Sequence, residues 1–161
     1  MSISVGGSIP DVELYVTTED GPAAKSSAEF FKGRKVVLFA VPGAFTPTCH
    51  LNHAPGFISN AEAIKAKGVD EIACVAVNDV FVLDAWAKEL GADGKVTMLS
   101  DGNGDFAKAL GLDLDASGLG LGLRSHRYAM LVDDGIVKVL NVEDVPSDAN
   151  SSSAEKLLES L

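Results

Sequence analysis

The residue of this chain best placed for covalent chemistry is Cys49, in the string Pro42-Gly43-Ala44-Phe45-Thr46-Pro47-Thr48-Cys49. Read as a helix start, Thr46 is the N-cap and Pro47, Thr48 and Cys49 are the first three helical positions. Threonine caps well, and proline at the first position loses nothing because that N–H has no intrahelical partner. Cys49 then faces unpartnered N–H groups and the positive end of the helix dipole, which favours thiolate over thiol. A free cysteine titrates near ~8.5, so a thiol active at about pH 6 needs roughly 3.4 kcal/mol of preference for the thiolate. A helix N-terminus supplies ~0.3–1 kcal/mol, and up to about 2 in favourable cases. A fixed cation must therefore contribute, and arginine suits because it stays charged and offers a planar fork of donors. The three arginines are Arg34, Arg124 and Arg127. Arg34 precedes the first apolar run and is expected at the far end of the sheet from the cysteine, which leaves Arg124 and Arg127.

Thr46 can also donate its hydroxyl toward the sulfur or toward an oxygen under attack. Pro42 and Pro47 stiffen the loop and remove two N–H groups. The second cysteine, Cys74, lies in Ile72-Ala73-Cys74-Val75-Ala76-Val77, a buried strand in which it reads as a small core hydrophobe. Cys49, His50 and His53 form C-H-x-x-H, but three ligands on so short a helical segment splay to different faces, so no metal site is expected. His126 adjoins the arginine pair, and no local signature of a cysteine hydrolase surrounds Cys49. Gly118, Gly120 and Gly122 precede a strand with no helix following, which makes a loop and not a phosphate cradle. Trp86 reads as helix packing.

These residues need elements to hold them. Val36, Val37, Leu38, Phe39 and Val41 form a continuous apolar run, as expected of a central strand buried on both faces. Val12, Leu14 and Val16 alternate in a half-buried strand near an edge, and residues 17–22 carry turn chemistry. Residues 26–29 resemble a short capped helix ending at Gly33. The helix from Thr46 should kink at Pro55-Gly56 and resume to Gly68, with Phe57, Ala61 and Ile64 on one face. Strands at 72–77 and 96–99 alternate with a helix capped by Asn78-Asp79 and another over 106–110, the order of parallel βαβ units. Asp134-Gly135 between two apolar runs marks a hairpin. Ser152-Ser153-Ala154-Glu155 is a capping-box pattern opening a last helix. Parallel units, then a hairpin and a terminal helix, fit an α/β fold: a thioredoxin-like three-layer sandwich with a central mixed β-sheet.

Length and composition set outer bounds. The chain has 161 residues, 47% of them hydrophobic, which suits one globular domain spanning residues 1–161. A net charge of -10 gives no electrostatic reason to bind nucleic acid or anionic lipid. No apolar run is long enough to span a membrane, and the N-terminus lacks signal-peptide features. Two cysteines without a C-x-x-C pair suit a reducing compartment in which thiols do chemistry. The cytoplasm is the expected location, with a removed organelle-targeting segment as the open alternative.

The string from Pro42 to Cys49 resembles the P-x-x-x-T/S-x-x-C signature of the peroxiredoxins, and V-P-G-A-F-T-P-x-C is similar to their type-II, peroxiredoxin-5 group. The resemblance continues through His53-x-Pro55-Gly56-Phe57, the A-C-V-A-V-N-D segment around Cys74, Trp86, and the segment from Arg127 to Val142. It implies a thioredoxin-fold homodimer, free of cofactors, that reduces hydrogen peroxide and alkyl hydroperoxides with a thiol. Cys49 resembles the peroxidatic cysteine, which cycles through sulfenic acid. Thr46 resembles its hydroxyl partner, Pro42 the residue shielding the pocket, and Arg127 the distant arginine completing the site. Cys74 matches a position that sometimes serves as a second redox thiol. Group members with an internal resolving cysteine carry it near the C-terminus, where this chain has none, so an external reductant is expected: glutathione with glutaredoxin, or thioredoxin. The other function class is a peroxide-sensing relay or holdase using the same cysteine.

Overall fold

The computed structural model describes residues 2–161. The chain begins with a hairpin of β1 (Glu13–Thr18) and β2 (Gly21–Ser26), then α1 (Ser27–Phe31) and β3 (Lys35–Val41). After the Cys49 segment come α2 (Ala54–Ser59), α3 (Ala61–Lys65), β4 (Glu71–Ala76), α4 (Val80–Leu90), β5 (Thr97–Ser100) and α5 (Asp105–Leu110). A small two-stranded sheet of β6 (Asp113–Asp115) and β7 (Leu123–Ser125) precedes the hairpin β8 (Tyr128–Asp133) and β9 (Ile136–Val142), and α6 (Ala154–Leu158) closes the fold. The main sheet has seven strands in the order β2-β1-β5-β4-β3-β8-β9. β3, β4 and β5 run parallel, whereas β8 pairs antiparallel with β3. This is the mixed central sheet expected from the sequence.

Alternation along the central strands divides the core into two layers. Val37, Phe39 and Val41 of β3 face the same side as Ile72 and Cys74 of β4, under Phe57, Ile64, Leu83, Trp86 and Leu157 from the helices. Val36, Leu38 and Ala40 face the other side with Val75, Met130, Phe30, Phe31 and Phe106. The second of these layers uses α1 and α5, the first α2, α3, α4 and α6. Cys74 thus lies on the Cys49 face of the sheet.

The caps follow local chemistry. Ser26 accepts from Glu29 N, Asp79 accepts from Val82 N, and Gly91 ends α4 in the left-handed conformation that glycine tolerates. Asp134 and Gly135, with φ of 48° and 79°, make the tight turn between β8 and β9. Arg34 pairs with Glu71 at 2.5 Å, at the strand ends away from the cysteine.

Three expectations need correction. The turn expected over residues 17–22 narrows to Glu19 and Asp20, and residues 21–26 form a strand because their backbone pairs with β1 along its whole length. The helix does not kink at Pro55-Gly56. It runs from Pro47 through a π-helical turn at Cys49–His53 into α2 and breaks at Asn60. In that turn Ala54 N reaches back five residues to Cys49 O. The wider turn brings the chain to Pro55, which has no N–H to donate, without a collision. The cap of α6 is Ser153, which accepts from Lys156 N, because Ser152 is engaged by Glu143.

Candidate active site

β3 delivers the chain to buried Pro42 and Gly43, and a tight turn through Ala44 and Phe45 then leads to Thr46. Phe45 has φ 64°, a conformation that costs a non-glycine residue about 1–3 kcal/mol and persists only where the surroundings impose it. The surroundings here are specific. Ala44 N–H donates to Asn78 Oδ1 at 2.9 Å, and the Thr46 hydroxyl donates to Gly43 O at 2.7 Å. Gly43 is closely packed: an added Cβ would stand 3.1 Å from both Arg124 Nη1 and Thr46 Cγ2, so those side chains would have to give by a few tenths of an ångström.

The loop sets Cys49 at the start of the π-helical turn with no exposed surface. Arg127 Nη2 donates to Cys49 Sγ at 3.1 Å. Arg127 is itself buried, at 2% exposure, and its other nitrogens donate to His53 Nδ1 at 3.0 Å and Pro146 O at 3.3 Å. None of these partners is a carboxylate. A buried guanidinium without a carboxylate leaves Sγ as the contact where a negative charge is most welcome. Of the two arginines left open by the sequence, Arg127 is the one that meets the sulfur.

Arg124 has a different place. Its Nε donates to Leu121 O and its Nη1 to Val77 O, so it ties the loop before β7 to the end of β4 beside Gly43. The Thr46 hydroxyl, expected to donate toward the sulfur or toward an oxygen under attack, donates to Gly43 O, which the tight turn brings within reach. Its oxygen keeps lone pairs for an incoming donor. Cys74 is fully buried between Phe39 and Met98 in the sheet register. Burial pushes its thiol well above the ordinary cysteine value, Cys49 adds to the rise, and Arg127 opposes it.

His53, which the sequence offered as a metal ligand and as part of the family resemblance but not as a partner of the arginine, meets Arg127 in the site. No metal-binding group of three or more histidine, cysteine or acidic residues exists among the described residues. His53 packs against Phe39 and Phe57, whose rings are themselves stacked at 4.1 Å. Its Nε2 meets Ser152 O at 2.9 Å. A carbonyl only accepts, so Nε2 carries the proton and Nδ1 offers a lone pair to Arg127. Burial first, and the Arg127 charge second, lower its pKa to about 3. The usable signal was spacing: His53 lies four residues after Cys49, on the same helix face. His50, by contrast, accepts from Trp86 Nε1 at 3.0 Å and stacks on Phe45.

A family model described as Redoxin matches residues 4–158. Peroxiredoxin-2E, chloroplastic, of Arabidopsis thaliana is 51% identical, over 99% of this chain and 70% of the relative. Peroxiredoxin-2E-2, chloroplastic, of Oryza sativa subsp. japonica is 53% identical, over 99% of this chain and 73% of the relative. The chain belongs to the type-II peroxiredoxins. Among solved structures, reduced Prx3 from Vibrio vulnificus in complex with hydrogen peroxide superposes with a TM-score of 0.93 at 49% identity, covering 98% of each chain. Membership of this family of thioredoxin-fold proteins gives the reaction class, thiol-dependent peroxidase.

Proposed function

We propose that Cys49 is the peroxidatic residue and that it reduces hydrogen peroxide and alkyl hydroperoxides. The observation that carries this is the 3.1 Å contact between Arg127 Nη2 and Cys49 Sγ inside a buried site. The thiolate sulfur attacks one peroxide oxygen in line with the O–O bond. An S–O bond forms, the O–O bond breaks, and the electron pair leaves with the far oxygen, which takes a proton from solvent and departs as water or alcohol. Cys49 is left as a sulfenic acid. Arg127 and the N–H groups at the start of the helix stabilise the charge developing on the departing oxygen, Thr46 orients the peroxide by accepting a hydrogen bond from its O–H, and Pro42 shields the sulfur from bulk water.

An external thiol, glutathione with glutaredoxin or thioredoxin, then condenses with the sulfenic acid to a mixed disulfide and releases water; a second thiol frees Cys49. Cys74 is a poor internal alternative, because its thiol is buried and little ionised. The chain acts as one domain, in the cytoplasm; the chloroplast named for two relatives is the rival compartment, and cell fractionation separates them. It pairs as a homodimer. Phe45, Leu51 and Phe81 expose apolar surface on the catalytic loop, the π-helical turn and α4, and sedimentation measures the association directly.

The deciding experiment is steady-state turnover with excess peroxide and each thiol reductant. Many turnovers per Cys49 are expected. One equivalent consumed with every reductant would replace the peroxidase by the sensor or holdase.

A further inference from the structure

Arg127 is held by a closed ring of hydrogen bonds. Glu143 follows β9, and its N–H donates to Arg127 O at 3.0 Å, continuing the β8–β9 ladder by one rung. The Glu143 side chain is turned inward, leaving the residue 5% exposed. One of its oxygens, Oε2, accepts both from Ser152 N and from Ser152 Oγ, each at 2.6 Å. Ser152 O in turn accepts from His53 Nε2, and His53 Nδ1 accepts from Arg127 Nη1. The ring therefore starts at the Arg127 main chain and returns to its guanidinium.

A carboxylate touching Arg127 directly would compete with the sulfur for the same cation. Glu143 is kept two groups away from it. Burial pushes the Glu143 carboxyl up, but hydrogen bonds from Ser152, Ser151 and Asn150 together outweigh it and hold the group below the ordinary glutamate range. It stays a fixed acceptor at neutral pH, so Ser152 presents its carbonyl to His53. That carbonyl decides which ring nitrogen carries the proton. A proton on Nδ1 instead would face the guanidinium N–H groups with another donor and turn Nη2 away from Cys49.

We propose that Glu143 is a positioning residue for the peroxide reaction: acting through Ser152 and His53, it sets the direction of the Arg127 guanidinium and keeps Nη2 on Cys49 Sγ. This rests on the reading of Cys49 and Arg127 given above.

The test compares Glu143→Ala in two backgrounds, wild type and Arg127→Ala, by the second-order rate of Cys49 oxidation with hydrogen peroxide. In the wild-type background the rate should fall about ten-fold, the scale of a modest misplacement of a catalytic group. In the Arg127→Ala background it should change by less than about two-fold, because the residue acted upon is gone. Glu143→Gln keeps an oxygen that accepts from both Ser152 groups and should recover the rate to within about three-fold of wild type. Nitrogen-15 spectra of the histidine ring should show the Nε2–H form of His53 in wild type and a mixture of forms in Glu143→Ala. An equal loss in both backgrounds, no loss in wild type, or an unchanged His53 form in a slowed variant would overturn the proposal. Should Glu143→Ala fail to fold, Ser152→Ala in the same two backgrounds takes its place, with about three-fold expected and equal losses overturning it. A wild-type protein that consumes no peroxide would sink the peroxidase reading instead, and the ring spectra would still report on Glu143.

Discussion

His53 gives Arg127 a lone pair and not a proton: Nδ1 lies 3.0 Å from Nη1, while Nε2 donates to Ser152 O at 2.9 Å. Protonating the ring, which packs edge-on against Phe39 and Phe57, would set a second cation beside Arg127. That explains a pKa lowered from 6.5 to about 3, with burial the larger cause and Arg127 the next, and with Ser152 and Glu143 pulling the other way. The folded-state value lies below the unfolded one, so this contribution to stability is complete above about pH 6.5 and is lost as pH falls toward 3. Near pH 5 the loss amounts to about 2 kcal/mol. Urea unfolding at pH 7 and pH 5 should therefore show wild type losing about 2 kcal/mol more than His53→Gln, which has nothing to titrate. Equal losses in the two proteins would mean that His53 is charged in the folded state.

Arg127 is the sole cationic side chain seen on Cys49 Sγ among the described residues. Arg127→Ala should slow peroxide reduction by about 10²–10³-fold, the scale for removing one donor from a charge-stabilising site. Arg127→Lys should recover little, since one ammonium cannot reach the sulfur, His53 and Pro146 O together. Arg124→Ala should cost less, because Arg124 acts on the loop carbonyls Val77 O and Leu121 O. Stopped-flow oxidation of the three variants ranks them, and a larger loss in Arg124→Ala would reverse the assignment.

Where local chemistry decides, the sequence was readable. The unbroken apolar run of β3, the aspartate cap of α4 and the Asp134-Gly135 turn all stand where their residues point. The unread parts are those settled by distant partners. Nothing in Gly21-Pro22-Ala23-Ala24-Lys25-Ser26 signals a strand; pairing with β1 makes it one. Ser152 and Ser153 are equally good caps by type, and buried Glu143 removes the first from the choice. The requirement for a distant cation could be argued from the energy of a thiolate, and the type-II resemblance singled out Arg127. His53 offered only its spacing from Cys49 as a signal, because the partner of its Nε2, Ser152, lies 99 residues further along.

Thr46 contributes a hydroxyl whose proton is committed to Gly43 O. Thr46→Ser keeps that arrangement and should retain most of the activity. Thr46→Val preserves the shape, removes the oxygen, and should reduce the rate of peroxide reduction by about 10²-fold. Comparable activity in the Val variant would mean that backbone N–H groups alone orient the peroxide.

Cys49 and Cys74 are both buried on one face of the sheet, yet their chemistry should differ. Cys49→Ser should lower turnover by at least about 10³-fold, because the nucleophile itself is lost. Cys74→Ala should keep more than about half of it. Its thiol is pushed well above the ordinary cysteine value, chiefly by burial, and the Cys49 backbone is fixed by the π-helical turn, so pairing of the two sulfurs requires that turn to open. Non-reducing mass spectrometry after one equivalent of peroxide should then show Cys49 as a sulfenic acid, and as a mixed disulfide when glutathione is present. A mass lower by two hydrogens than that of the reduced chain, formed as fast as peroxide is consumed, would establish Cys74 as the resolving thiol and show that the turn opens in every cycle.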